Sequence, residues 1–179
     1  YFKRCFQSSF GCFLMVYLII ALAMLFILGP IFMLRPSPRA RRKMRMRERA
    51  LALGLKVAPI SLQRDKKFNA LLQRNPHIEN HQWYRYQRLA EEGEPGPGTH
   101  GEWWQRKTRD GNLVWEASDF RLVTPPPVQQ LIEQWQQQQT ADFLAIELGP
   151  RSAAIIWNER GDVAEVETLA EQLQDLLWA

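Results

Sequence analysis

GCFLMVYLIIALAMLFILGPIFML, residues 11–34, is an unbroken run of 24 residues without a charge. About 20 apolar residues at a 1.5 Å rise cross a hydrocarbon core roughly 30 Å thick, and a helix satisfies its own backbone there. The stretch therefore predicts a transmembrane helix. A cleaved signal peptide is the competing reading. It needs a shorter apolar core and a small-residue cleavage site, and Leu34-Arg35-Pro36-Ser37-Pro38 supplies none. Pro30, after Gly29, removes a backbone donor and predicts a kink. Gly11, Ala21 and Gly29 are small enough to admit a neighbouring helix and are the expected contacts with other membrane-complex subunits.

Outward from this run, residues 1–10 form a short outer N-terminus carrying only Lys3 and Arg4. On the other side RPSPRARRKMRMRER, residues 35–49, holds eight Lys/Arg against one Glu. An excess of Lys/Arg marks the cytoplasmic flank. The expected topology is N-terminus outside and C-terminal domain cytoplasmic, in a bacterium at the inner membrane. Residues 35–54 read as a basic juxtamembrane helix, with Ser37 capping, Pro38 in the first turn and Gly54 stopping it. Its Arg35, Arg39, Arg41, Arg42, Lys43, Arg45, Arg47 and Arg49 are expected on anionic lipid head groups. Phosphates of RNA or of a ribosome are the alternative ligands for the same cations. Docking on an acidic partner protein is a third.

The roughly 145 residues after the run suffice for one modest domain or two small ones. Charge divides them. Residues 1–124 carry 21 Lys/Arg against 10 Asp/Glu, and residues 125–179 carry 2 against 9. This predicts a basic region held near an anionic surface and an acidic end held away from it. Cys5 and Cys12 are the only cysteines, so the domain has no disulfide framework and no thiolate metal site.

Residues 55–123 read as a Trp-rich β-containing region. Leu55 to Leu62 suggests a short strand that Pro59 confines to an edge or bulge, and Phe68 to Gln73 a short helix. Trp83 to Leu89 alternates aromatics with Arg and Gln. Asp110-Gly111 between two alternating runs signals a hairpin. Trp83, Trp103 and Trp104 are candidate partner-binding residues. Because Trp103 and Trp104 point to opposite faces of a strand, one is expected in a core and the other exposed or covered by a partner. The loop 91–101, with its glycines and prolines, reads as a flexible excursion. Residues 124–179 read as an acidic αββα unit. A helix follows Thr124-Pro125-Pro126-Pro127, Gly149-Pro150-Arg151 joins two buried strands, and Asp162 with Glu165 opens a last helix striped by Val166, Leu169, Leu173 and Leu176. The fold class is thus α+β, with a transmembrane helix, a basic helix, a small antiparallel sheet and a separate C-terminal αββα unit.

No Walker, GxSxG or HExxH pattern occurs, and no cofactor or metal is expected. His77 and His81, with Glu79, His100 or Glu102, are the one dispersed set that a metal site or an enzyme could use. Two surface histidines is the plainer reading. Aromatics interleaved with Arg85, Arg88, Arg106 and Lys107 could stack on single-stranded nucleic acid. More often such a pattern is a sheet packed on one face.

In topology, GCFLMVYLIIALAMLFILGPIFML followed by RPSPRARRKMRMRER resembles the small auxiliary subunit of the bacterial Sec translocase. That family has a short outer N-terminus, one span, a basic flank and a small cytoplasmic β-containing domain. The Trp-rich sheet and the αββα end depart from it. The composition is also similar to uncharacterised proteobacterial single-pass inner-membrane proteins. Together the readings make the chain an expected non-catalytic accessory, assembly or scaffold subunit of an inner-membrane complex, with a membrane-tethered nucleic-acid or ribosome binder as the alternative.

Overall fold

Ser152–Trp157 has no charged residue and Phe143–Gly149 only Glu147, so neither strand can lie with one face in water. They belong at the centre of a sheet covered on both sides. A computed structural model places them there. It describes residues 15–28, 37–62, 68, 78, 82–94, 96–138 and 140–178. The elements in chain order are α1 (residues 15–28), α2 (Pro38–Ala52), β1 (Lys56–Ile60), β2 (Trp83–Leu89), β3 (Gly101–Lys107), β4 (Leu113–Ala117), α3 (Pro126–Gln137), β5 (Phe143–Gly149), β6 (Ser152–Trp157) and α4 (Val163–Leu177). Two compact units divide the chain, Tyr1–Arg41 and Arg42–Ala179.

The first unit corrects the reading of residues 11–34. Among the described residues no helix is long and apolar enough to cross a membrane. Residues 15–28 are helical. The expected transmembrane helix, the single-pass inner-membrane location and the N-out orientation built on it are therefore not supported. Gly11, Gly29 and Arg35 lie outside the described residues, and Ala21 is exposed on α1.

In the second unit the architecture is α+β, but the expected pair of separate substructures is replaced by one sheet. Six antiparallel strands run in the order β1-β2-β6-β5-β3-β4. The β5–β6 hairpin of the acidic region is inserted between β2 and β3 of the Trp-rich region, pairing Tyr86 with Ile155 on one side and Trp103 with Ile146 on the other. Alternation along each strand then sorts the core. Tyr86, Trp103, Ile146, Ile155 and Trp157 face α3, α4 and the Met46 and Ala50 positions of α2. Trp83, Trp104, Ala145 and Ile156 face the other way, into a second cluster with Leu62, Phe68 and Ile78.

Local chemistry fixes the joints. In the β3–β4 turn Gly111 N–H donates to the Thr108 carbonyl at 3.0 Å, and Gly111 takes φ +88°, open to glycine without strain. At α4, Asp162 Oδ1 accepts from Glu165 N–H at 3.1 Å while the Glu165 carboxylate interacts with the Asp162 backbone, a reciprocal cap. Burial first, then the charges of Asp142 and Asp162, raise the Glu165 pKa. The 91–101 loop is no free excursion. Arg151 Nη2 donates to the Glu91 carbonyl at 2.7 Å, and a side chain at Gly96 would collide with the Pro150 carbonyl.

Candidate functional site

The basic and acidic regions are not held apart; they fold onto one another. Arg47 pairs with Glu159, Arg49 with Glu167 and Arg85 with Glu147. The first of these pairs is the centre of a buried node. Glu159 follows β6, is fully buried and takes φ +56°, a left-handed conformation that costs a non-glycine residue about 1–3 kcal/mol. Arg47 meets its carboxylate with both ends of the guanidinium fork, Nε to Oε1 at 2.7 Å and Nη2 to Oε2 at 2.6 Å. Tyr86 O–H donates to Oε1 at 3.1 Å, and Lys43 Nζ stands 3.7 Å from Oε2. The Arg47 guanidinium also lies over the Tyr84 ring, 4.1 Å from its centroid.

The electrostatics follow from burial. The hydrogen bond to Glu159 raises the Arg47 pKa against the desolvation that opposes it. Tyr86 is pushed well above the ordinary phenol range, by burial first and then by the negative charge of Glu159. A carboxylate whose lone pairs are taken by a guanidinium fork and a phenol is positioned to hold elements together rather than to move a proton. The node ties α2, β2 and the β6–α4 turn to one another.

A row of aromatics leads from this node across the sheet. Tyr86 meets Trp157 edge-on at 5.3 Å, Trp157 stacks toward Phe143 at 6.0 Å, Phe143 lies on Trp135 at 3.9 Å, and Trp135 leans on Trp115 at 5.4 Å. Trp115 belongs to β4, the last strand. Here the molecule changes character. On the outer side of β4 no strand follows among the described residues. The loop that leaves β4 exposes Phe120 (89 %) and Val123 (81 %). Leu122 between them is tucked against Gly101, and Trp103 Nε1 donates to Thr124 Oγ1 at 3.0 Å, so the loop is pinned at its base while its two apolar side chains stand free of the core.

The sequence-predicted residues distribute as follows. Trp83, Trp103 and Trp104 are all buried, Trp103 under the helices and Trp104 edge-on to Phe68 at 5.2 Å, so both faces of β3 are filled from within the chain. Arg39, Arg41, Arg45 and Arg49 are exposed, while Arg42, Lys43 and Arg47 are half-buried. His77 and His81 lie outside the described residues, and His100 is exposed. Among the described residues no group of three or more His, Cys, Asp or Glu is placed to hold a metal ion. An open groove of about 500 Å³ between α2, β2 and α4 is lined by Arg49, Leu53, Arg88, Glu167 and Glu171, and the Arg49–Glu167 pair contributes to its wall.

Sequence reasoning missed Glu159, Phe120 and Val123. An acidic residue two positions after an apolar strand was the one signal for the first. The loop pair carried none beyond two large apolar residues in a turn. No protein-family model, curated protein or solved structure matches the chain.

Proposed function

We propose that the chain is a non-catalytic accessory or scaffold protein whose α+β domain binds another protein at the β4 end of its sheet. The observation that carries this reading is the pairing of an open strand edge with the exposed Phe120 and Val123 beside it. Contiguous apolar surface left outside a core marks interaction sites, and a sheet edge offers main-chain hydrogen bonds to a partner. The nucleic-acid reading has less to stand on. Of the arginines interleaved with the aromatics, Arg85 is paired with Glu147 and Arg106 with Glu116.

A photo-reactive amino acid placed at position 120 of the full chain tests the proposal in cells. A discrete protein adduct on irradiation, lost when Val123→Asp is added, supports it. No adduct at position 120 contradicts it.

A further inference from the structure

From the hydrogen-bond phase of β4 we infer that the protein docking at this edge is a second copy of the chain, joined strand to strand about Trp115. The inference rests on the reading of the β4 end as an interaction surface and names its occupant. Thr108 N–H donates to the Asn112 carbonyl, and Ser118 N–H donates to the Glu102 carbonyl. Residues 112 and 118 therefore turn their backbone groups inward to β3, and by the two-residue period so do Val114 and Glu116. Leu113, Trp115 and Ala117 must turn their N–H and C=O groups outward.

An antiparallel copy satisfies all of these at once in a single symmetric register. Leu113 faces the partner's Ala117, Trp115 faces the partner's Trp115, and a two-fold axis passes between them. Slipping by two residues leaves outward groups unpaired on both strands. The side chains accept the same register. On the helix side Trp115, already leaning on Trp135, meets its own counterpart. On the other side Val114 meets the partner's Glu116, whose charge Arg106 holds within its own chain, so no like charges stand directly opposite. The exit of each β4 then runs beside the partner's β3–β4 turn, bringing the exposed Phe120 toward it.

The other edge of the sheet supplies the contrast. β1 carries Pro59, which lacks an N–H, and Lys56, both devices that keep an edge from pairing. β4 has neither residue in Leu113–Ala117. One edge is guarded and the other is left able to pair.

In a symmetric antiparallel pair, positions 114 and 116 form non-hydrogen-bonded partners with Cα atoms about 4.5 Å apart, close enough for a disulfide. The test is Val114→Cys with Glu116→Cys in the full chain, with Cys5 and Cys12 replaced by Ser, oxidised in cells and run on a non-reducing gel. The double variant should move most of the chain from its 21.0 kDa position to twice that mass. Either single cysteine should not, because each then faces a residue without a thiol. Adding Leu113→Pro, which removes an outward donor at the start of the strand, should abolish the dimer band while the unfolding midpoint confirms the fold. Dimer formed equally by the single variants overturns the register. A band at a mass other than twice the chain overturns self-pairing yet leaves the docking surface standing. No adduct at all overturns self-pairing, and the photo-adduct at position 120 then decides the docking surface separately.

Discussion

The two ends of the sheet solve opposite problems with similar residues. At the β2 end a half-buried arginine holds a fully buried glutamate through two contacts, with a phenol added and a cation stacked on an aromatic ring. At the β4 end Arg106 and Glu116 pair at the surface, through a single carboxylate oxygen. A surface pair is screened and contributes little, whereas breaking one partner out of a buried pair strands an uncompensated charge. The difference teaches where the chain invests its charge. It fixes α2 and the β6–α4 turn at one end, and leaves the other end to apolar side chains and an edge that no strand among the described residues fills.

The largest effect should come from breaking the locked end. Glu159→Ala leaves the Arg47 fork and the Tyr86 hydroxyl without their acceptor, and should cost about 3–5 kcal/mol in a urea titration. Replacing Glu159 and Arg47 together by Met should cost distinctly less than Glu159→Ala, since an apolar pair strands no charge. A double variant as unstable as the single would mean the ion pair is not what Glu159 contributes.

A smaller effect is expected from Tyr86→Phe, about 1 kcal/mol for one lost hydrogen bond at neutral pH. Its pH dependence sharpens the comparison. The Tyr86 pKa is raised in the folded chain, so the folded state retains a proton that the unfolded state begins to lose near pH 10. The stabilisation is fully present below that pH and declines as pH climbs above it. Tyr86→Phe should therefore flatten the alkaline loss of stability measured from pH 9 upward. An unchanged alkaline limb would place the titration elsewhere.

At the open end the expected stability effects are the smallest. Arg106→Ala should leave the unfolding midpoint where it is, and Phe120→Ser should do the same because that side chain packs on nothing in the core. Phe120→Ser should nevertheless weaken association of the chain in cross-linking or sedimentation. A loss of stability without a loss of association would reverse the assignment of the two ends.

Local features of this division were legible in the sequence and distant ones were not. The Asp110-Gly111 turn and the Asp162–Glu165 cap are read from neighbouring residues, because the physics that sets them acts within one turn of chain. The apolar runs of β5 and β6 announced strands buried on both faces. Nothing in their period could announce that β2 and β3 would close on either side of them, since register with a distant strand is settled by tertiary packing. Arg47 was indistinguishable from its basic neighbours, because the residue that selects it lies more than a hundred positions away at Glu159. The 24-residue apolar run misled for another reason. Composition favours a span across residues 11–34, but among the described residues no helix is long and apolar enough to cross a membrane.

Amide exchange along β4, followed by NMR on the full chain over a range of protein concentrations, tests the open edge most directly. Val114 and Glu116, bonded to β3, should be protected at every concentration. Leu113, Trp115 and Ala117 should exchange quickly in dilute chain and become protected as concentration rises. Protection of those three that is already complete in the most dilute sample and independent of concentration would mean the edge is filled from within, and would contradict the docking surface altogether.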